Sequence, residues 1–187
     1  MTKKSNDKEI AKTTPKTNHR TKSIELLNRS VADELLAVHQ YMYFHFHCDD
    51  MNYDLLSSLF KRTAIQEMMH VETLADRILF LKGEVEMKPA GAVAKIHDVS
   101  KMLEKAMEME NGSVMDYNQW ANECGVNADA VTKKLFEDLV MQEETHLNQF
   151  ENEAENLQNY GDKYLVLQSM ERSKAVANTA ATTNGAQ

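Results

Sequence analysis

Apolar residues recur along most of the chain at the three- and four-residue spacing of an amphipathic helix. The first run contains Ile24, Leu27, Val31, Leu35, Val38, Met42 and Phe46. Similar runs predict long helices over residues 23–48, 51–82, 98–124 and 127–158, followed by a short helix over 162–172. The pattern therefore predicts an all-α fold, and four helices of about 40–48 Å each fit a four-helix bundle.

The connection between the second and third predicted helices is longer than the others. It spans residues 84–97 and contains Pro89 and Gly91, which disfavour helix. An extended segment of this length reaches roughly 46–50 Å, about the length of a bundle. We therefore expect a long crossover, which allows the second and third helices to be parallel.

The composition fits one folded domain and excludes several classes of protein. The 187 residues include two prolines and six glycines, too few for a turn-rich β-sandwich or barrel. Two cysteines, Cys48 and Cys124, cannot form a disulfide framework. No apolar run approaches the ~20 residues of a membrane-spanning helix, and the polar N-terminus lacks the apolar core of a secretory signal. We expect a cytoplasmic protein that does not associate with membranes.

The net charge of -8 is unevenly distributed. Residues 1–22 contain seven basic and two acidic residues without apolar periodicity, which predicts a disordered basic arm. Residues 173–187 are small and polar, and we expect a second disordered tail there. The remaining domain, residues 23–172, is acidic, and acidic surfaces attract cations rather than nucleic acid.

The two halves of this domain repeat each other at a constant offset, which maps Glu34 onto Glu110 and His70 onto His146. Nine of the 37 positions from 34 to 70 recur identically, where composition alone predicts about two. Each half supplies one glutamate in the middle of a helix and a Glu-x-x-His motif on the next helix. Two helical hairpins related by a pseudo-two-fold axis would bring these groups into one layer.

The repeated residues have the chemistry of a dinuclear metal site. Residues three apart share a helix face, so the two members of each motif point the same way. A single Glu-x-x-His is common on solvated helices, whereas two copies, each at the same spacing after a mid-helix glutamate, favour metal ligands. Four carboxylates and two imidazoles inside a bundle can hold two iron or manganese ions. The predicted metal-binding and catalytic residues are Glu34, Glu67, His70, Glu110, Glu143 and His146.

Two tyrosines share the helix faces of the predicted ligands. Tyr41 and Tyr117 each lie one heptad after a mid-helix glutamate. Two compatible interpretations stay open: core tyrosines with bonded hydroxyls, or residues that contact the ligands and take part in redox chemistry.

The motifs resemble those of the ferritin superfamily, and of the bacterioferritin family in particular. The resemblance covers roughly residues 23–172 and rests on 33–41 (DELLAVHQY), 67–70 (EMMH), 77–83 (RILFLKG) and 143–146 (EETH). It implies a ferroxidase that oxidises Fe(II) with O₂ or H₂O₂ and stores ferric mineral inside a hollow homo-oligomeric shell. It also implies that Glu34, Glu67 and His70 hold one iron and Glu110, Glu143 and His146 the other, with Glu67 and Glu143 bridging.

The same resemblance implies further partners. A fifth helix favours a shell of 24 subunits over the 12 of smaller relatives. Haem, or a related iron porphyrin, would lie between two-fold-related subunits, with Met68 of each as axial ligand. A reductase or ferredoxin would supply electrons for iron release.

This sequence departs from the family pattern at three places. An accessory iron site on the inner surface of some members uses a histidine and an aspartate that correspond here to Arg62 and Gln66, so we expect that site to be absent. The family does not explain Cys48 and Cys124, which we expect at opposite ends of the bundle, beyond the reach of an intrachain disulfide. The cluster His39, His45 and His47 on the first helix has no assigned role beyond surface iron binding.

Three other functions fit parts of the sequence. The first is another di-iron or di-manganese enzyme that consumes peroxide, such as a manganese catalase; a rubrerythrin would need a four-cysteine iron site. The second is a DNA-protecting dodecameric ferritin whose basic arm binds phosphates, with a solubilising tail as the simpler interpretation of that arm. The third is a purely structural bundle.

Overall fold

A computed structural model describes residues 16–170 and 172–173. This part of the chain is all-α and contains no strand, which confirms the predicted fold class. None of its helices is apolar enough over a sufficient length to span a bilayer. The helices are α1 (Lys16–Asp50), α2 (Asp54–Phe80), α3 (Val99–Val126), α4 (Ala130–Tyr160) and the short α5 over 162–170.

The first helix begins earlier than predicted. Residues 16–22 belong to α1, so the predicted boundary of the basic arm at residue 22 is wrong. Lysine and arginine are good helix formers, and Lys22 Nζ lies 3.3 Å from the Glu123 carboxylate of α3. The rest of the arm, residues 1–15, lies outside the described residues, as does the predicted tail from residue 174 onward. The other ends of the four long helices fall within three residues of the predicted ones.

The crossover between α2 and α3 runs along α1 in the direction of that helix. Its first part is held by Asn28, whose side-chain amide donates to the Glu84 carbonyl at 2.9 Å. Further along, the buried Gln40 side chain bonds to both backbone groups of Ala94. The crossover thus reaches the end where α1 stops, so α3 is parallel to α2 and antiparallel to α1.

The bundle interior consists of two apolar clusters, one toward each end. One contains Trp120 and Phe136, whose rings pack edge to face, and the other contains Phe44 and Phe60. Polar and ionisable side chains lie between the clusters. This layered core places the predicted ligands in a region from which bulk water is excluded.

The two cysteines are buried free thiols in different clusters. They lie at opposite ends of the bundle, as expected from the antiparallel arrangement of α1 and α3. Burial raises the pKa of Cys48 to about 12 and that of Cys124 to about 11. Both are therefore protonated thiols with little reactivity at neutral pH.

The repeat extends into the turns that close the two hairpins. Asn52 and Ala128 occupy equivalent positions of the repeat, and both have a positive φ, 63° and 58°. In the first turn the Tyr53 amide donates to the Cys48 carbonyl at 2.8 Å, and in the second the Asp129 amide donates to the Cys124 carbonyl at 2.9 Å. The α1–α2 and α3–α4 hairpins are therefore two copies of one structural unit.

Helix α5 packs across the bundle end beside the α1–α2 turn. Tyr53, the N-cap residue of α2, makes no side-chain capping bond, and Gln168 Oε1 instead accepts from the Leu56 amide at 3.4 Å. The Arg172 guanidinium lies 3.1 Å from the carboxylates of Asp49 and Asp54. These contacts stabilise the predicted short helix against the start of α2.

Asp129 connects three helices at the end of the bundle opposite α5. Its carboxylate accepts from the Thr132 amide as N-cap of α4, from Ser23 Oγ of α1 at 2.7 Å, and from Arg77 Nη2 of α2 at 2.7 Å. Burial raises its pKa, but these donors outweigh burial and lower it below the usual value. The ionised Asp129 carboxylate therefore stabilises the folded protein fully at pH values above the pKa of Asp129 in the unfolded chain. This stabilisation is lost as the pH falls through the lower pKa of Asp129 in the folded protein.

We expect Asp129→Ala to lower the free energy of unfolding by about 2–3 kcal/mol, because a helix cap and a partly buried charged contact are lost together. Urea denaturation at pH 7 measures this loss. Asp138→Ala is the matched control on α4, since its exposed pair with Lys134 contributes at most about 1 kcal/mol. Equal losses in the two variants would contradict the assigned role of Asp129.

Candidate metal centre

Six ionisable side chains meet in the layer between the apolar clusters. They come from the middle of all four long helices, and each exposes 3% or less of its surface. Burial of so many carboxylates is costly unless they are paired, protonated or bound to a cation. The six residues are those predicted from the repeat: Glu34, Glu67, His70, Glu110, Glu143 and His146.

The two imidazoles face the same pair of carboxylates. Nδ1 of His70 lies 2.8 Å from Glu67 and 3.1 Å from Glu143. Nδ1 of His146 lies 3.0 Å from Glu67 and 3.2 Å from Glu143. The two rings are stacked with centroids 5.8 Å apart.

The donor atoms form two overlapping groups. Within each group they lie within 4.8 Å of one another, which is close enough to contact one ion. One group adds Glu34 and His70 to the shared Glu67 and Glu143, and the other adds Glu110 and His146 to the same pair. The geometry therefore offers two adjacent cation positions that share two carboxylates.

Several potential metal-ligand atoms in this layer have no aligned hydrogen-bond partner although they are fully buried. They are both carboxylate oxygens of Glu67, Oε1 of Glu143 and Nδ1 of His70. Unsatisfied buried polar atoms are rare in folded proteins because each one costs free energy. Their convergence fits a group of ligands that point at a cation rather than at one another.

Protonation partly neutralises the carboxylates in the metal-free protein. Burial raises the pKa of Glu34 and Glu110 well above the usual value, and neighbouring carboxylates raise both further. Burial opposes charge on the histidines, but contacts with the carboxylates outweigh it, raising the pKa of His146 to about 12 and also that of His70. Burial opposes charge on Glu143, but the two protonated imidazoles beside its carboxylate outweigh burial and lower its pKa to about 2.

These shifts predict that metal binding at pH 7 displaces protons. We expect two Zn(II) ions to release about four protons, two from the imidazoles and two from Glu34 and Glu110. Because protons and metal compete for the same atoms, the affinity should fall as the pH is lowered. Calorimetry in buffers of different ionisation enthalpy measures the count, and release of fewer than one proton per pair of ions would contradict it.

Tyr41 and Tyr117 connect the two halves of the site. The Tyr41 hydroxyl donates to Oε1 of Glu110, and the Tyr117 hydroxyl donates to Oε1 of Glu34. Burial raises the pKa of both phenols well above the usual value, so they act as neutral donors. The repeat thus produces reciprocal bonds, and both tyrosines are buried and contact predicted ligands.

The contact between Gln142 and His70 was not predicted from the sequence. Gln142 Oε1 lies 3.1 Å from Nε2 of His70, on the side of the ring away from the carboxylates. An amide oxygen accepts, so this contact keeps the proton on Nε2 and leaves Nδ1 free as a ligand atom. The only signal in the sequence was the identity of Gln142 with Gln66 in the repeat.

A cavity of about 170 Å³ between α1 and α3 leads to the buried carboxylates. Its more exposed walls include Asp33, Glu108 and Asp116, which the sequence pattern did not single out. Burial and the charge of Asp116 raise the pKa of Asp33. This acidic opening can attract a cation and connects solvent to the ligand cluster.

Comparison with known proteins agrees with this arrangement. The sequence model of the ferritin-like domain family matches residues 24–160. A bacterioferritin of Desulfovibrio desulfuricans is 38% identical, covering 79% of this chain and 83% of its own length. This chain belongs to the bacterioferritin family. A bacterioferritin of Brucella melitensis is 29% identical, covering 76% of this chain and 88% of its own.

A solved bacterioferritin has the same fold. The X-ray structure of the Desulfovibrio desulfuricans protein, which concerns its diiron site in different catalytic states, matches with a TM-score of 0.80 at 37% identity. The match covers 81% of this chain and 89% of that chain.

Other residues singled out from the bacterioferritin resemblance lie on the surface of the bundle. Met68 follows the buried Glu67 and is 55% exposed, so it points away from the ligand cluster. Arg62 and Gln66 are exposed and line a groove between α2 and α4. A guanidinium repels cations, and the absence of an accessory iron site at this pair stays a prediction.

Proposed function

We propose that this protein oxidises Fe(II) at a di-iron centre and stores the product as ferric mineral. The main support for this proposal is the buried layer of four carboxylates and two histidines, whose potential ligand atoms converge in two overlapping groups. Membership of the bacterioferritin family, and the diiron site of its Desulfovibrio desulfuricans relative, support iron as the metal. The two ions supply two electrons, which reduce O₂ to H₂O₂ or H₂O₂ to two water molecules.

The position of each side chain determines which of the two ions it would bind. Glu67 and Glu143 belong to both donor groups and would bridge the two ions. The remaining glutamate and histidine of each group would hold one ion each. Carboxylate and imidazole ligands suit iron, and four carboxylates balance the charge of two divalent ions.

The surroundings of the site favour this chemistry. The bonded hydroxyls of Tyr41 and Tyr117 orient Glu110 and Glu34 without adding charge. The aromatic clusters above and below keep bulk water out, which strengthens the interaction of carboxylates with cations. Protons released from the imidazoles and carboxyls as Fe(II) binds are available to the reduced oxygen species.

Iron would reach the site through the acidic cavity between α1 and α3. Gly112 lines this cavity, and a Cβ atom built there meets nothing within 4 Å. We expect Gly112→Leu to fold normally and to slow the initial oxidation of Fe(II) several-fold by narrowing the opening. Asn118→Leu, at an exposed position of the same helix, is the control, and stopped-flow absorbance measures both. An unchanged rate in Gly112→Leu would contradict this route.

We further propose a homo-oligomeric shell, most consistent with 24 subunits because α5 is present. Helix α2 alone leaves six large apolar side chains uncovered in the single chain, which supports their burial between subunits. They are Leu55, Ile65, Met68, Met69, Leu79 and Phe80. The exposed thioether of Met68 is available to bind haem jointly with a second subunit, and a reductase or ferredoxin would return electrons to the mineral.

Oxygen consumption tests the proposed activity. Addition of Fe(II) to the metal-free protein in aerated buffer should produce a fast phase that saturates at about two Fe(II) per chain. Slower oxidation should follow as mineral grows. Oxidation no faster than in buffer alone would overturn the proposal.

A further inference from the structure

A second group of potential metal ligands lies where the end of the crossover meets α1, away from the candidate metal centre. It consists of Tyr43, His47 and His97, which we call the aromatic triad. The Tyr43 hydroxyl lies 2.8 Å from Nε2 of His97, and the rings of His47 and His97 have centroids 4.4 Å apart. The Tyr43 and His47 rings are also 4.4 Å apart, so all three side chains converge.

The fold brings these residues together from distant parts of the sequence. Tyr43 and His47 are four residues apart on α1 and therefore share one helix face. His97 stands at the end of the crossover, next to Asp98, the N-cap residue of α3. The bonds between Gln40 and Ala94 fix the register of the crossover on α1, which delivers His97 to this face.

The separation of the donor atoms suits a shared ion. Two atoms that ligate one ion at about 2.0–2.1 Å lie roughly 3 Å apart, about 2.9 Å at a right angle and about 3.4 Å at the tetrahedral angle. The hydrogen bond of 2.8 Å between Tyr43 Oη and His97 Nε2 holds two potential ligand atoms near this separation, and the His47 ring packs beside both rings. Imidazole nitrogens suit Zn(II), Cu(II), Ni(II) and iron, and a phenol oxygen can complete such a site.

We propose that the aromatic triad is a second metal site, which binds a divalent transition-metal ion through His47 and His97 with Tyr43 as an oxygen ligand. His47 lies in the last turn of α1, where the carbonyl end of the helix dipole favours a cation. Along the helix it lies about 20 Å from Glu34. The triad therefore binds its ion independently of the buried centre.

Cu(II) is the probe for this site because its electron paramagnetic resonance spectrum reports bound nitrogen atoms. We expect the full-length protein to bind Cu(II) at the triad with coupling to two imidazole nitrogens. His97→Gln should weaken this binding at least about tenfold, because one arm of the chelate is lost. Copper at the buried centre is the same in both proteins, so the difference isolates the triad.

His39→Gln is the matched control, since His39 is an exposed histidine on the same helix. It should leave the spectrum and affinity unchanged, whereas His47→Gln should weaken binding as His97→Gln does. Circular dichroism verifies that each variant folds. Equal copper affinity in wild type, His47→Gln and His97→Gln would overturn the proposal, as would a wild-type spectrum that neither substitution alters.

Discussion

Glu143→Gln is expected to abolish the fast oxidation of Fe(II), lowering its initial rate by at least about 100-fold. The carboxylate belongs to both donor groups, so its loss removes one anionic ligand from each ion at once. Glutamine preserves the shape of the side chain but binds cations weakly because its amide is neutral. The oxygen electrode gives the rate, and circular dichroism verifies that the bundle is intact.

Glu144→Gln is the matched control because Glu144 is the next residue along α4 and is exposed. The same change of charge there should leave the rate within about twofold of wild type. Glu67→Gln should behave as Glu143→Gln does, since the pseudo-two-fold relation makes the two carboxylates equivalent. Fast oxidation that survives both bridging substitutions would show that iron reacts elsewhere on the protein.

Met68→Leu is expected to eliminate the porphyrin absorption band of protein expressed with ample haem, while the rate of Fe(II) oxidation stays near that of wild type. Leucine keeps the apolar volume but removes the sulfur that would bind the haem iron from each of two subunits. Met68 points outward from a helix whose buried face carries the proposed iron ligands, so the two functions should separate. Absorbance spectra of the purified proteins provide the measurement.

Met69→Leu serves as the control, because Met69 is adjacent and 57% exposed against 55% for Met68. This variant should keep the porphyrin band. Haem bound equally by both variants, or wild-type protein that takes up no haem, would contradict the role of Met68.

Local sequence patterns were sufficient to predict the long helices and the buried layer of carboxylates and histidines. The helical spacing of apolar residues specifies which face of each helix is buried, and the internal repeat specifies which ionisable groups meet. The reciprocal bonds of Tyr41 and Tyr117 follow from the same symmetry, because each hydroxyl reaches the glutamate of the opposite half.

Features that depend on long-range register could not be predicted. Gln142 reaches His70 only because α2 and α4 pack at one particular rotation. His97 meets His47 because the crossover is fixed along α1 by backbone and side-chain bonds that leave no periodic signature. The start of α1 at Lys16 was missed because its first turns lack the apolar stripe from which the other helix ends were predicted.

Two iron ions are expected to bind within one subunit, between the two helical hairpins. Anomalous diffraction at the iron edge, from crystals loaded with Fe(II) under anaerobic conditions, would locate these ions. Two buried peaks per chain are expected, one beside His70 and one beside His146, with Glu67 and Glu143 in contact with both. A single peak, or iron found only on the surface of the bundle, would contradict this expectation.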